Sequence, residues 1–175
     1  MKKLIISIFA IMATISSTQA ADKVLVAYFS ATGTTKAAAE LVARATNGEL
    51  MAIEPTKAYT SDDLNWHNQQ SRSSVEMNDP AARPAIKKSK ENLDGYSTIY
   101  LGFPIWWYVA PRIINTFLEA YDFTGKNIIP FATSGSSNIS GAVKALRQTY
   151  PTLKIDDGRL LNSASYNDIV KWTKR

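Results

Sequence analysis

Residues 23–35 read KVLVAYFSATGTT, and they decide the fold class of this chain. Residues 23–30 are almost continuously apolar, with β-branched and aromatic side chains, which predicts a buried strand. Small polar residues follow at once, and residues 34–46 then place Leu41, Val42 and Ala45 on one face of a predicted helix. A buried strand that passes through a short loop into a helix is typical of the β-α-β units of parallel sheets.

The same alternation of strand and helix continues along the chain. It predicts an α/β domain with a five-stranded parallel sheet in the order 2-1-3-4-5, sandwiched between two layers of helices. After the first unit, strands are predicted at residues 49–54, 98–103 and 127–133 and within 154–161, and helices at 111–121, at 138–150 and from Ser165 onward.

Residues 55–95 interrupt this alternation with a long, polar segment that contains Pro55, Pro80 and Pro84. A connection of this length usually has a function or a structure of its own. We interpret it as an enlarged crossover between the second and third strands, with a short helix within residues 59–75, rather than as a separate domain. This segment is called the insert below.

The first twenty residues have the pattern of a secretory signal peptide. Lys2 and Lys3 precede an apolar run over residues 4–15, and small residues precede a cut after Ala20. The run is shorter than the ~20 residues that span a bilayer, so we expect no stable membrane insertion after cleavage. We therefore expect export to the periplasm or secretion, with residues 21–175 as the mature domain; an uncleaved anchor is the alternative.

Composition excludes several kinds of function. The chain has no cysteine, which excludes disulfides, thiol catalysis and thiolate metal sites. Without Lys2 and Lys3, 18 of the 20 basic residues remain against 15 acidic ones, a net charge of +3 with no basic cluster, so we expect no nucleic-acid binding. His67 is the sole histidine and lies in the insert, so we predict no catalytic triad and no metal site.

Residues 30–35 form the first of three candidate ligand loops. In an open α/β sheet, ligands bind beyond the carboxyl ends of the strands, and a helix N-terminus favours anions. Hydroxyl groups and a close-approaching glycine in this loop therefore predict a phosphate site, although the loop alone could also be a capped helix start that faces water. The predicted ligand residues of this loop are Ser30, Thr32, Gly33, Thr34 and Thr35.

Residues 102–108, GFPIWWY, form the second loop, after the third strand. Three adjacent aromatic residues in a loop predict stacking on a flat aromatic ligand, with core packing or a protein contact as the alternative. The predicted ligand residues here are Gly102, Pro104, Ile105, Trp106 and Trp107, with Trp106 or Trp107 stacking on the ring.

The third loop, after the fourth strand, is small and polar, and Thr133, Ser134 and Gly135 are predicted to border the far edge of the ligand, although the loop alone could instead cap the next helix. In a sheet of order 2-1-3-4-5, strands one, three and four are neighbours, so the three loops meet at one edge. A phosphate site, an aromatic stack and a polar edge together indicate a mononucleotide with a flat, redox-active ring.

These motifs resemble those of the flavodoxin family, most closely its small flavodoxin-like branch. Residues 25–35 are similar to the family's phosphate signature, and residues 102–107 and 133–135 to its two flavin-ring loops. Arg83-Pro84 and residues 116–119 fit the same pattern. The resemblance implies a flavodoxin-like three-layer sandwich that binds FMN and transfers electrons. Two features depart from the family: the mildly basic charge and the expected export.

Three functions stay open at this point. The first is an electron carrier that serves a redox partner protein or a small electron acceptor, without acid-base residues of its own. The second is an FMN-dependent NAD(P)H:quinone-type oxidoreductase, in which the insert would help to form the pocket for a second substrate. The third is a flavin-free binding module on the same fold.

Overall fold

A parallel sheet is the middle layer of the structure, a computed structural model that describes residues 23–174. The strands are β1 (Lys23–Tyr28), β2 (Glu49–Ala52), β3 (Glu54–Pro55), β4 (Ile86–Lys87), β5 (Tyr96–Pro104), β6 (Asn127–Thr133), β7 (Lys154–Ile155) and β8 (Arg159–Leu160). The helices are α1 (Thr34–Thr46), α2 (Arg72–Asn78), α3 (Arg112–Ala120), α4 (Ser140–Thr149) and α5 (Tyr166–Thr173).

The strand order is β2-β1-β5-β6-β7, and β8 also pairs with β6. All of these pairs are parallel. The predicted order 2-1-3-4-5 is confirmed, with β5 and β6 as the third and fourth strands and with β7 and β8 sharing the fifth position. β3 and β4 form a separate antiparallel pair within the insert.

The fifth strand is divided in two opposite Pro130, which lies in the middle of β6. Proline has no N–H to donate to a neighbouring strand. The chain pairs with β6 through the N–H of Asp156 on one side and the N–H of Leu161 on the other. Between them Gly158 has φ 71°, and a Cβ there would lie 2.3 Å from the Pro130 oxygen. The fifth strand is therefore interrupted where it passes Pro130, and it continues on either side as β7 and β8.

Both faces of the sheet are buried, as the continuous apolar strands predict. Leu25 and Ala27 of β1, and Phe29 directly after it, face the layer that contains α3 and α4. The intervening Val26 and Tyr28 face the layer that contains α1 and α5. The flavodoxin-like sandwich of helix, sheet and helix is therefore present. Within residues 23–174, no helix combines the length and the apolar character needed to cross a bilayer.

The insert contains turns followed by α2, which begins near the end of the predicted range of 59–75 and extends three residues beyond it. The helix begins after Ser71, whose hydroxyl oxygen accepts a hydrogen bond from the N–H of Ser74. Residues before Ser71 form successive turns closed by backbone hydrogen bonds such as that from Asn68 N to Asn65 O. The predicted signal peptide, residues 1–20, lies outside the described residues.

An ion pair fastens the far end of the insert to α3. Arg83 Nε lies 2.8 Å from Glu119 Oε2, and Tyr150 donates to the other oxygen of Glu119 at 2.7 Å. The hydrogen bond from Arg83 holds the pKa of Glu119 below its usual value, and burial together with Glu119 raises the pKa of Tyr150 to about 12.

Gly102 of β5 packs closely against a side chain of β6, so a substitution at this position tests how tightly the core is packed. A Cβ added there would lie 2.2 Å from Cζ of Phe131, which is fully buried. We expect Gly102→Ala to lower the free energy of unfolding, measured in urea, by about 1–3 kcal/mol, because the buried Phe131 ring has to move. Gly135→Ala is the control, since no atom lies within 4 Å of its added Cβ. Equal stability of the two variants would contradict the packing.

Candidate functional site

A cleft of about 890 Å³ opens beyond the carboxyl ends of β1, β5 and β6. This volume is within the usual range for sites that bind small molecules and cofactors, roughly 300–1,000 Å³. Among the described residues that line the cleft, none is Lys, Arg, His, Asp or Glu. The lining comes from five segments: the β1–α1 loop, the insert, the loop after β5, the loop after β6 and the loop after β8.

The β1–α1 loop offers the cleft a helix N-terminus with unused donors. The N-cap residue of α1 is Gly33, with φ 94°, and no side chain caps the helix. The first N–H groups of the helix therefore have no partner within it. Ser30 Oγ accepts a hydrogen bond from Gly33 N at 3.1 Å within the loop, while Thr32 and Thr34 line the cleft. The arrangement suits an anion.

Two buried hydroxyls join this loop to the end of β6. Oγ1 of Thr35 lies 2.8 Å from Oγ1 of Thr133, and both residues line the cleft. Next to them, Ser134 N donates to Asn162 Oδ1 at 2.7 Å, and the Asn162 amide donates back to the Ser134 carbonyl. Ser134 Oγ in turn accepts from Ser137 N at 2.9 Å. The third loop is therefore fixed by contacts on both sides.

Phe29, Tyr59 and Trp106 form an aromatic cluster, and Trp106 also lines the cleft. The three ring centres lie 5.5–5.7 Å apart in edge-to-face geometry. Tyr59 donates to Glu76, and the Arg72 guanidinium lies 3.9 Å from the centre of the Tyr59 ring. Burial and the neighbouring Glu76 raise the pKa of Tyr59, so the phenol stays protonated. Trp106 is therefore held by its neighbours, and the insert supplies one of them.

The turn after Trp106 holds two aromatic residues in an unfavourable backbone conformation. Trp106 and Val109 exchange backbone hydrogen bonds of 3.0 Å, and between them Trp107 has φ 46° and Tyr108 has φ 69°. Two central residues with positive φ indicate a type I′ turn, which favours Asn-Gly. For other residues such a conformation costs of order 1–3 kcal/mol each. Trp107 is 40% exposed and Tyr108 is 74% exposed, and both line the cleft.

The insert contributes a wall of the cleft through Leu64, Trp66 and Ser73. The Trp66 side chain is 63% exposed, and its ring centre lies 3.5 Å from that of His67. A tryptophan in an otherwise polar segment is a sequence signal for such a role, but nothing in the sequence places it beside the other loops.

The structure brings ten of the thirteen predicted ligand residues to the cleft. Ser30 and Gly33 shape the first loop without lining the cleft, and Gly102 lies inside β5 against Phe131. The ten lining residues are Thr32, Thr34, Thr35, Pro104, Ile105, Trp106, Trp107, Thr133, Ser134 and Gly135. The lining residues absent from the predicted set are Ala31, Leu64, Trp66, Ser73, Tyr108, Ser136, Ser137 and Asn162.

Comparison with known proteins identifies the family. A family model described as Flavodoxin matches residues 23–175. The chain belongs to the flavodoxin family. The family that the resemblance of its motifs implied is thereby confirmed. None of the curated protein sequences compared with this flavodoxin-family chain matches it significantly.

Solved structures agree with the family. A proposed flavoprotein from Bacteroides uniformis is 57% identical, with a TM-score of 0.85, over 88% of this chain and 99% of that one. One from Bacteroides eggerthii is 54% identical, also with a TM-score of 0.85, over 87% and 96%. A flavoprotein from Lactobacillus acidophilus in complex with FMN is 22% identical, with a TM-score of 0.66, over 87% and 99%, and shares the fold.

Strain in the turn at the cleft of this flavodoxin-family protein can be measured by substitution. We expect Tyr108→Gly to raise the free energy of unfolding by about 1 kcal/mol, because glycine adopts positive φ without the steric penalty of other residues. Tyr108→Ala is the matched control, since it removes the same exposed ring but keeps the unfavourable conformation. Urea unfolding that ranks the glycine variant at or below the alanine variant would contradict the strain.

Proposed function

We propose that this protein binds one FMN in the cleft and acts as an electron-transfer flavoprotein. The observation that carries the proposal is the joining of an uncapped helix N-terminus and an aromatic wall in one uncharged cleft. A flavoprotein with the same fold, from Lactobacillus acidophilus, has been solved in complex with FMN. The family and the two Bacteroides flavoproteins support a flavin as the ligand.

The residues of the cleft fit the two chemically different ends of FMN. The first turn of α1 and the hydroxyls of Thr32 and Thr34 would hold the phosphate through hydrogen bonds and the helix dipole, without a Lys or Arg in the lining. Trp106 and Trp107 would contact the ring in offset or edge-on geometry. The polar loop at Ser134, fixed by Asn162, would border its edge.

Bound FMN would supply the redox chemistry of the protein. The chain's own side chains bind and orient it: Tyr108 is the only ionisable residue among the described lining residues, so no carboxylate, imidazole or amine is in place to move a proton. Electrons would pass to or from a redox partner protein or a small acceptor at the open side of the cleft.

FMN titration of residues 21–175 tests the proposal, with flavin absorbance and tryptophan fluorescence as readouts. We expect saturable one-to-one binding that Thr32→Val weakens about tenfold, because it removes a hydroxyl from the phosphate site. Thr152→Val is the control, since Thr152 is an exposed threonine that does not line the cleft. A folded protein that binds no FMN would overturn the proposal in favour of a flavin-free binding module.

A second candidate function is reduction of a quinone-type acceptor with NAD(P)H. The observation that favours it is the exposure of Trp66 and Tyr108 at an uncharged rim, where a planar second substrate could stack. The enzyme and the carrier would share the FMN site and differ in what reaches it.

Turnover of a naphthoquinone by NADH separates these two functions. For a carrier, we expect the FMN-loaded protein to reduce the quinone no faster than the same concentration of free FMN, because a carrier has no site for the nicotinamide donor. The apoprotein serves as the blank. Saturable turnover well above the rate of free FMN, lowered by Trp66→Ala, would replace the carrier by the reductase.

A further inference from the structure

Ser73 in the insert is a buried polar residue at the edge of the cleft. It lies in the first turn of α2, is 2% exposed and lines the cleft. The predicted ligand loops all follow strands of the sheet, whereas this residue comes from the crossover between β2 and β5. Its hydroxyl group therefore needs an explanation of its own.

The hydrogen bonds around Ser73 leave its hydroxyl without a good partner. Ser71 Oγ donates to Ser74 Oγ at 2.9 Å and accepts from Ser74 N at 3.3 Å, so its single proton is already used. Ser73 Oγ lies 3.4 Å from Ser71 Oγ, and this is its only hydrogen-bond contact among the described residues. Hydrogen bonds between hydroxyls are ordinarily about 2.5–3.0 Å long, so this contact is weak.

The position of Ser73 is fixed by its neighbours. Its N–H donates to the carbonyl of Asp63 at 2.9 Å. The preceding residue, Arg72, bonds to Glu76 at 2.6 Å and to the carbonyl of Lys57 at 2.7 Å. A buried hydroxyl whose only contact is a weak one keeps hydrogen-bonding capacity for a polar group that enters the cleft.

We infer that Ser73 Oγ donates a hydrogen bond to an uncharged oxygen or nitrogen of the bound FMN, in its ring or its ribityl chain. The inference rests on the proposed binding of FMN. The phosphate belongs at the N-terminus of α1, where Thr32 and Thr34 lie, which leaves the uncharged part of the ligand for Ser73. The insert then takes part in cofactor recognition through a specific polar contact as well as through Trp66.

Titration of Ser73→Ala with FMN and with riboflavin tests this inference on residues 21–175, which include the whole described sheet and its helices. We expect Ser73→Ala to weaken both ligands by the same factor, about tenfold, because the lost bond is absent from the phosphate. Ser73→Cys, which keeps the size but is a weak donor, should weaken both as well.

The matched control is Ser74→Ala, since Ser74 is equally buried, bonds to Ser71 and does not line the cleft. It should lower the unfolding midpoint in urea and leave both affinities unchanged. Unchanged affinities of folded Ser73→Ala, or a loss for FMN alone, would overturn the role of Ser73 while the proposed function stands. A wild-type protein that binds neither flavin would overturn both.

Discussion

Both faces of the parallel sheet are buried, and this constraint determines where the rest of the chemistry can lie. Alternate residues of β1 and β5 pack against opposite helical layers, so no side chain in the middle of these strands is available to a ligand. Gly102 shows how tight this packing is, because its missing side chain is the space that Phe131 fills. Polar and aromatic ligand groups are therefore concentrated in the loops beyond the strand ends, where the sheet positions them with little freedom.

The insert also contributes to the cleft, because contacts near both of its ends fix it to the core. Tyr59 packs edge-to-face against Phe29, which follows β1, and against Trp106, which lies in the loop after β5. At its other end, Arg83 pairs with Glu119 of α3. A segment fixed at both ends can present Trp66 and Ser73 to the cleft without a large ordering cost on binding.

Local sequence signals predicted the fold well, and long-range contacts limited the prediction of the site. The bounds of α1 and β6 agree with the structure to the residue, and the last helix begins after Ser165 as predicted, where Ser165 and Asp168 form a capping box. Gly102 fits a ligand loop by sequence, yet its neighbour Phe131 comes from another strand. The sequence could not reveal Ser73, because it lies in a short helix that follows turns without periodicity. Nor could it reveal Asn162, whose hydrogen bond to Ser134 spans 28 residues and leaves no local pattern.

The turn at Trp107 and Tyr108 contains two aromatic residues that the fold does not require. Asn-Gly would make the same type I′ turn at lower cost, and Gly141 of α4 already leaves room for it, since a Cβ there would lie 3.2 Å from the Tyr108 carbonyl. Two aromatic residues are therefore not explained by the geometry of the turn. They border an uncharged cleft, where flat apolar surface is what a planar ring can contact. Strain that the fold does not require, beside a cleft, is the arrangement expected where side chains serve a ligand.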